Sequence, residues 1–515
     1  MSSPPDVRIE GSPVLSGRAL SPTDKLFLSL RTPDDYGKFA RSLRGQFSII
    51  VRSQTDTIGI TDFCGSLPIY YVRSGGTWET STKLSTLRSH CDGRIERKGL
   101  FFFAARGGVG VDPLYAGVRQ VYPGRVIQLE EGGAVREDRY VNWFEMPEST
   151  LDLAEACRTF VALASSYLAA ATANEERVGC LLSGGTDSAI TAWLLKRIHP
   201  KVTCFTADYA ISRYSEYAEA QHNARQLGVE QARVVVTRRD HWSAFERMNG
   251  ITSDVPTNHS QLTSLIKIGE VARELGIRTL VSGDNADTLF MGLEGFFDRL
   301  PPVFDAYARA TEEMTIHEKL ERVVRWHPLD RRGREILGAF GIGREECEKW
   351  METLESSGRK ELEPLASRIP LWRLQQISGQ QWAGVPYQLC WLPTERTVPG
   401  VRLISPYLDA DMVRFGISLP LPLKYQNGVK KFLLHHILES EAGIKVKKRA
   451  SPNPSRLWTL VPPLSLLGRI DSRLRKSYVS ECARNLVRRG SLHNNVSSVA
   501  ALGLWLRAHR LQAVA

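Results

Sequence analysis

Val178-Gly179-Cys180-Leu181-Leu182-Ser183-Gly184-Gly185-Thr186-Asp187-Ser188 is the stretch on which the reading of this 515-residue chain turns. Val178 to Leu182 is a continuous apolar run, as expected of a strand covered on both faces. It runs into Ser183-Gly184-Gly185-Thr186-Asp187-Ser188 and then directly into a helical pattern. The two glycines let backbone approach an anion closely, the serine hydroxyls donate hydrogen bonds, and the helix start supplies free N–H groups with a positive dipole end. This is a phosphate cradle. It differs from the GxxxxGK[ST] loop in lacking the lysine and in holding a carboxylate, Asp187. A carboxylate beside polyphosphate requires an intervening cation, so Asp187 reads as a Mg²⁺ ligand.

Outward from this stretch, strand and helix alternate. Val202-Thr203-Cys204-Phe205-Thr206, Arg233-Val234-Val235-Val236 and Thr279-Leu280-Val281 read as further strands, with helices predicted over 188–198, 216–227 and 262–275. The alternation predicts a parallel, doubly wound sheet whose ligand lies beyond the carboxyl ends of the strands. The informative loops are those after Leu182, Thr206 and Val281. The last is Ser282-Gly283-Asp284-Asn285-Ala286-Asp287, a second carboxylate loop facing the same crevice.

Upstream, Gln46 to Val51, Thr57 to Ile60, Leu67 to Val72 and Val121 to Leu129 are β-rich segments broken by turns, which predicts a layered sheet domain over residues 1–145. A linker is expected at Met146 to Thr150, followed by a helix over 151–170. Beyond Asp298 the chain reads as largely helical. Hydrophobic residues make up 42% and charged residues 24%, and no segment reaches the roughly 18 apolar residues of a membrane span. The start lacks a basic and apolar secretory signal, so a cytoplasmic protein is expected. Eight scattered cysteines without a CxxC pair suggest buried thiols and neither zinc nor disulfides. From Glu441 onward fourteen Lys and Arg stand against three acidic residues, which accounts for the whole net charge of +11. With no interleaved aromatics or nucleic-acid motif, the run reads as a solvated helical face, and neither a nucleic-acid nor a membrane partner is expected.

Ser183-Gly184-Gly185-x-Asp187-Ser188 followed by Ser282-Gly283-Asp284-x-x-Asp287-x-x-Phe290-x-Gly292 resembles the ATP pyrophosphatase domain of asparagine synthetases. Ser405-Pro406-Tyr407-Leu408-Asp409 and Leu419-Pro420-Leu421-Pro422-Leu423-Lys424, with Lys430-Lys431-Phe432-Leu433-Leu434, are similar to later blocks of that family, and Asp62 to Tyr71 with Pro123-Gly124 resembles its glutaminase domain. The resemblance implies an α+β N-terminal Ntn-like glutaminase-type domain, 1–145, and an α/β ATP pyrophosphatase domain with a parallel sheet and a helical C-terminal part, 146–515. Where glutamine-dependent members carry a cysteine after Met1, this chain has Ser2, so an inactive glutaminase-like domain and an internal amine nucleophile are expected.

Among similar enzymes with that departure, the β-lactam and carbapenam synthetases and the lasso-peptide cyclases adenylate a carboxylate and let an internal amine attack it. Lys445-Val446-Lys447-Lys448-Arg449-Ala450-Ser451 resembles the basic stretch of the cyclases, as does the basic helical tail, and Asp284 stands where β-lactam synthetases have a catalytic tyrosine. That tyrosine serves a weak amide-like nucleophile, whereas a peptide α-amine, with a pKa of about 8, needs less help. The resemblance therefore implies ATP- and Mg²⁺-dependent macrolactam formation in a linear core peptide, with a leader peptidase and a leader-recognition protein as partners. ATP would lie on Leu182, Ser183, Gly184, Gly185, Asp187, Ser188, Ala207, Ser282 and Gly283, and magnesium on Asp187 and Asp287. Lys448 would stabilise developing charge and Asp284 would orient or deprotonate the amine. A β-lactam-type synthetase, an ammonia-fed asparagine synthetase and a non-catalytic precursor-binding scaffold remain as alternatives.

Overall fold

The computed structural model describes residues 5–30, 32–106, 112–142, 146–209, 211, 215–252, 254–257, 261–291, 314–324, 331–380, 388, 391–446, 458, 464–487, 495–511 and 513–514. Strands β1 (Asp6–Gly11), β2 (Phe47–Arg52), β3 (Asp56–Thr61), β4 (Tyr70–Ser74), β5 (Thr77–Ser81), β6 (Arg119–Gln120), β7 (Arg125–Glu130) and β8 (Val135–Arg139) form two antiparallel sheets, in the orders β1-β2-β3-β7-β8 and β6-β4-β5. Alternation along β2 divides its residues between two faces. Phe47, Ile49 and Val51 join the main core, while Ile50 packs with Ile69, Val121, Ile127 and Leu129 between the layers. Strand β1, with Val7 and Ile9 alternating with polar residues, and the helix Pro33–Ser42, opened by a capping box of Thr32 and Asp35, add to the segments named above.

A separate five-stranded sheet is parallel throughout, as the alternation predicts. Its strands β9 (Val178–Leu181), β10 (Val202–Asp208), β11 (Glu230–Val235), β12 (Thr279–Val281) and β13 (Arg402–Ile404) lie in the order β11-β10-β9-β12-β13. The chain leaves β9 toward one edge and returns on its other side as β12, so the switch point lies between those two strands. Helix α1 (Leu153–Thr172) is opened by a capping box of Asp152 and Glu155. Helices α2 (Thr186–Ile198), α3 (Tyr217–Leu227) and α4 (Leu262–Glu274) are the crossovers.

The part beyond residue 314 is largely helical among the described residues, but β13 interrupts it and completes the sheet. In the basic tail Arg469, Arg475, Lys476, Arg507 and Arg510 are exposed, but the apolar residues among them build a buried helix that the charge count did not suggest. Helix Asn495–His509 carries Val499, Ala500, Ala501, Leu502, Leu504, Trp505 and Leu506 at 3% exposure or less. Val514 and Ala513 then pair in parallel with Ile95 and Arg94, tying the chain end to the N-terminal part. Residues 498–506 are buried in succession, so this helix is enclosed on every side and not on one face alone. Cys64, Cys157, Cys180, Cys204 and Cys347 are buried free thiols, with Cys91 and Cys482 partly so, and Cys390 lies outside the described residues. No helix among the described residues is long and apolar enough to cross a membrane.

Candidate active site

At the C-terminal end of β9 the predicted cradle is a closed turn held by its own hydroxyls. Ser188 Oγ accepts the Ser183 N–H at 3.0 Å and lies 2.9 Å from Ser183 Oγ, which accepts the Gly185 N–H at 3.1 Å. Gly185 caps α2 without a side-chain partner, so the helix start presents backbone donors and its positive end to the crevice. The Gly184 N–H donates to Glu216 Oε2 at 3.3 Å, a carboxylate resting where an anion is expected. Leu182 is tied to the neighbouring strand, its N–H donating to Phe205 O at 2.9 Å and its carbonyl accepting Thr206 Oγ1 at 2.8 Å, and Ala207 follows near the end of that strand, β10.

The second loop touches the first. A Cβ on Gly283 would lie 2.8 Å from the Asp187 carbonyl carbon and 2.9 Å from its oxygen, so only glycine permits this approach. Ser282 N–H donates to Ile404 O at 2.9 Å, which ties the loop to β13. Asp284 is partly buried and accepts the Trp391 indole N–H at 2.7 Å. Burial pushes its carboxyl up to about 6, the charges of Asp287 and Asp187 act in the same direction, and the Trp391 and Asn285 donors oppose them. Asn285 follows with φ at 71°, a left-handed conformation, and opens the one-turn helix α5 (Ala286–Leu289) that carries Asp287.

Between the loops sits Lys431. Its Nζ lies 2.5 Å from Asp187 Oδ2 and also pairs with Asp287 Oδ1, and its side chain is 8% exposed. Burial disfavours the ammonium, but the two carboxylates outweigh that and hold its pKa above the ordinary lysine value. Since the folded pKa is raised, the stabilisation this group gives is complete at neutral pH and is lost only as pH rises through that raised value. Lys431 opens helix α6 (Phe432–Ser440) with φ at 55°, an uncommon conformation for a residue with a side chain. From α6, His435 Nε2 reaches Thr186 Oγ1 at 3.1 Å.

Ser183, Gly184, Gly185, Asp187, Ser188, Ser282, Gly283, Asp284 and Asp287 are therefore brought together at the switch point. Lys448 lies outside the described residues, as does Ser2. Lys431, Glu216, His435 and Trp391 received no role from the sequence. Only Lys431 left a signal there, in the Lys430-Lys431-Phe432 block. Two carboxylates converging on one ammonium form a place that stabilises a cation, which suits Asp187 and Asp287 as magnesium ligands. Among the described residues no group of three or more His, Cys, Asp or Glu stands ready to hold a metal ion, so further ligands would have to come from phosphate oxygens and water.

A doubly wound parallel sheet with a glycine–serine phosphate loop and a lysine-bridged carboxylate pair at its switch point defines an ATP-dependent ligase. The chain belongs to the asparagine synthase family, whose model matches residues 166–507. Asparagine synthetase [glutamine-hydrolyzing] 1 of Bacillus subtilis is 22% identical over 446 residues, spanning 81% of this chain and 69% of that protein. A putative glutamine-hydrolyzing asparagine synthetase of Mycobacterium tuberculosis is 24% identical over 307 residues, spanning 55% of this chain and 45% of its own length. Among solved structures, the NH3-dependent NAD synthetase of Campylobacter jejuni, 16% identical, aligns with 43% of this chain and 98% of its own at a TM-score of 0.22.

Proposed function

We propose that this amide ligase closes a macrolactam in a ribosomal peptide, in the manner of the lasso-peptide cyclases it resembles. The observation that carries the reading is the place of Asp284, a partly buried carboxyl next to Gly283, whose backbone packs on Asp187 of the phosphate loop; burial raises it to about 6, which leaves it ionised at neutral pH. Such a group can accept a proton from an amine of pKa about 8 but is poorly matched to an amide N–H. A side-chain carboxylate of the peptide attacks the α-phosphorus of ATP, the bond to the β-phosphate breaks, and pyrophosphate leaves. The peptide's α-amine then forms the C–N bond, AMP departs with the C–O electron pair, and Asp284 takes the amine proton.

Ser183 to Ser188 would hold the triphosphate, Lys431 would face its negative charge, and Lys448 would steady charge on the reacting carbonyl. Magnesium, held by Asp187 and Asp287, would supply charge neutralisation at the phosphates. A linear peptide, a leader peptidase and a leader-recognition protein are the partners this reading requires.

Incubation with ATP and a linear peptide bearing an N-terminal amine and an internal Asp or Glu should yield a product lighter by one water, together with AMP and pyrophosphate. Pyrophosphate release with aspartate and ammonia, and none with peptide, would replace this reading by that of an ammonia-fed asparagine synthetase. With the peptide, the rate should rise with pH through about 6 as Asp284 ionises, then level. Trp391→Phe removes a donor that favours the ionised form, so this limb should move to higher pH. An unmoved limb would take Asp284 out of the proton transfer.

A further inference from the structure

The N-terminal part reaches the ligase site through three consecutive residues. Asp409 is fully buried, and Arg44 grips it with Nη2 at 2.6 Å and Nε at 3.1 Å, while the Gly45 N–H donates to its other oxygen at 3.0 Å. Gln46, 1% exposed, accepts the Ser405 N–H on Oε1 at 2.8 Å. The 405–409 segment so held is in turn bonded to the second carboxylate loop. Ser405 Oγ donates to Asp284 O at 2.7 Å, and Asn285 Nδ2 donates to Tyr407 O at 2.8 Å. Thus Arg44 and Gln46 hold the two ends of 405–409 by buried or part-buried hydrogen bonds, and that segment in turn bonds the Asp284 carbonyl and the Asn285 side chain, where an unmade partner is costly.

We propose that Arg44 and Gln46 are positioning residues for the ligase site, setting the Asp284 loop through Ser405 and Asp409. The N-terminal part is then a working component of the synthetase centre, whatever chemistry it has or lacks of its own. The inference rests on the Asp284 loop belonging to the ligase site, but not on the identity of the substrate. It also accounts for the left-handed Asn285, whose side chain is fixed by the same segment.

The test is amide hydrogen exchange by mass spectrometry on full-length protein carrying Arg44→Met, Arg44→Lys, Gln46→Leu or Arg52→Met. Arg52 is the control, because it donates to Thr80 O at 2.9 Å and so bonds within the N-terminal part alone. Arg44→Met and Gln46→Leu should speed exchange over 282–291 at least tenfold and leave 178–181 unchanged. Arg44→Lys keeps the charge and should restore most of the protection. A loop as protected as the parent's in both variants, or loosened equally by Arg52→Met, would overturn the proposal. Failure here leaves the macrolactam reading standing, and a coupled loop without macrolactam product would remove only that reading.

Discussion

Asp187→Asn and Asp287→Asn should each lower pyrophosphate release by about a thousandfold or more, at the upper end of what one electrostatic contact to a developing charge supplies. Each substitution removes a negative oxygen from the pair that converges on Lys431. The amide is nearly isosteric, so the core is not disturbed. The two variants should nevertheless differ in stability. The Asp187 side chain is 20% exposed and that of Asp287 43%, so Asp187→Asn leaves the buried ammonium with only its more solvated partner. Removing one member of a buried pair costs up to about 3–5 kcal/mol, and partial exposure reduces that figure. Asp187→Asn should therefore melt at lower temperature than Asp287→Asn, with both folded at 25 °C by near-ultraviolet dichroism. Turnover within tenfold of the parent in either variant would remove that residue from the site.

Lys431→Met is the second large effect, and its two consequences run in opposite directions. The ammonium bridges the phosphate loop and the second carboxylate loop. Without it the triphosphate loses a charge-assisted donor, and the ligase rate should fall by roughly a hundredfold to a thousandfold. The same change takes the ammonium from between Asp187 and Asp287. Like charges at that range favour any divalent ion that can sit among them. Mn²⁺, followed by electron paramagnetic resonance without nucleotide, should bind Lys431→Met more tightly than the parent. A rate loss without tighter Mn²⁺ binding would assign the lysine to the phosphates alone. An unchanged rate would make it only a structural bridge.

The sequence by itself determined the class of fold and most of the loops that matter. Val178 to Leu182 and Val202 to Thr206 are apolar runs long enough to declare strands, Thr279 to Val281 is marked by the helical stretch before it and the Ser282-Gly283-Asp284 turn after it, and Gly283 lets that turn close on Asp187. Those signals are local, carried by residues adjacent in the chain. Strand β13 is only Arg402–Ile404, too short to show a period, and it exists because the edge of β12 offers it a ladder. Lys431 stands 244 residues from Asp187, and the Lys430-Lys431-Phe432 block marks the lysine without saying which carboxylates it meets. The Trp391 donor on Asp284 and the grip of Arg44 on Asp409 are likewise contacts between distant segments. The tertiary structure alone decided which charges share a crevice, how far burial shifts them, and that the basic C-terminal region packs a helix inside, because burial and electrostatic coupling depend on distances in space that sequence spacing does not encode.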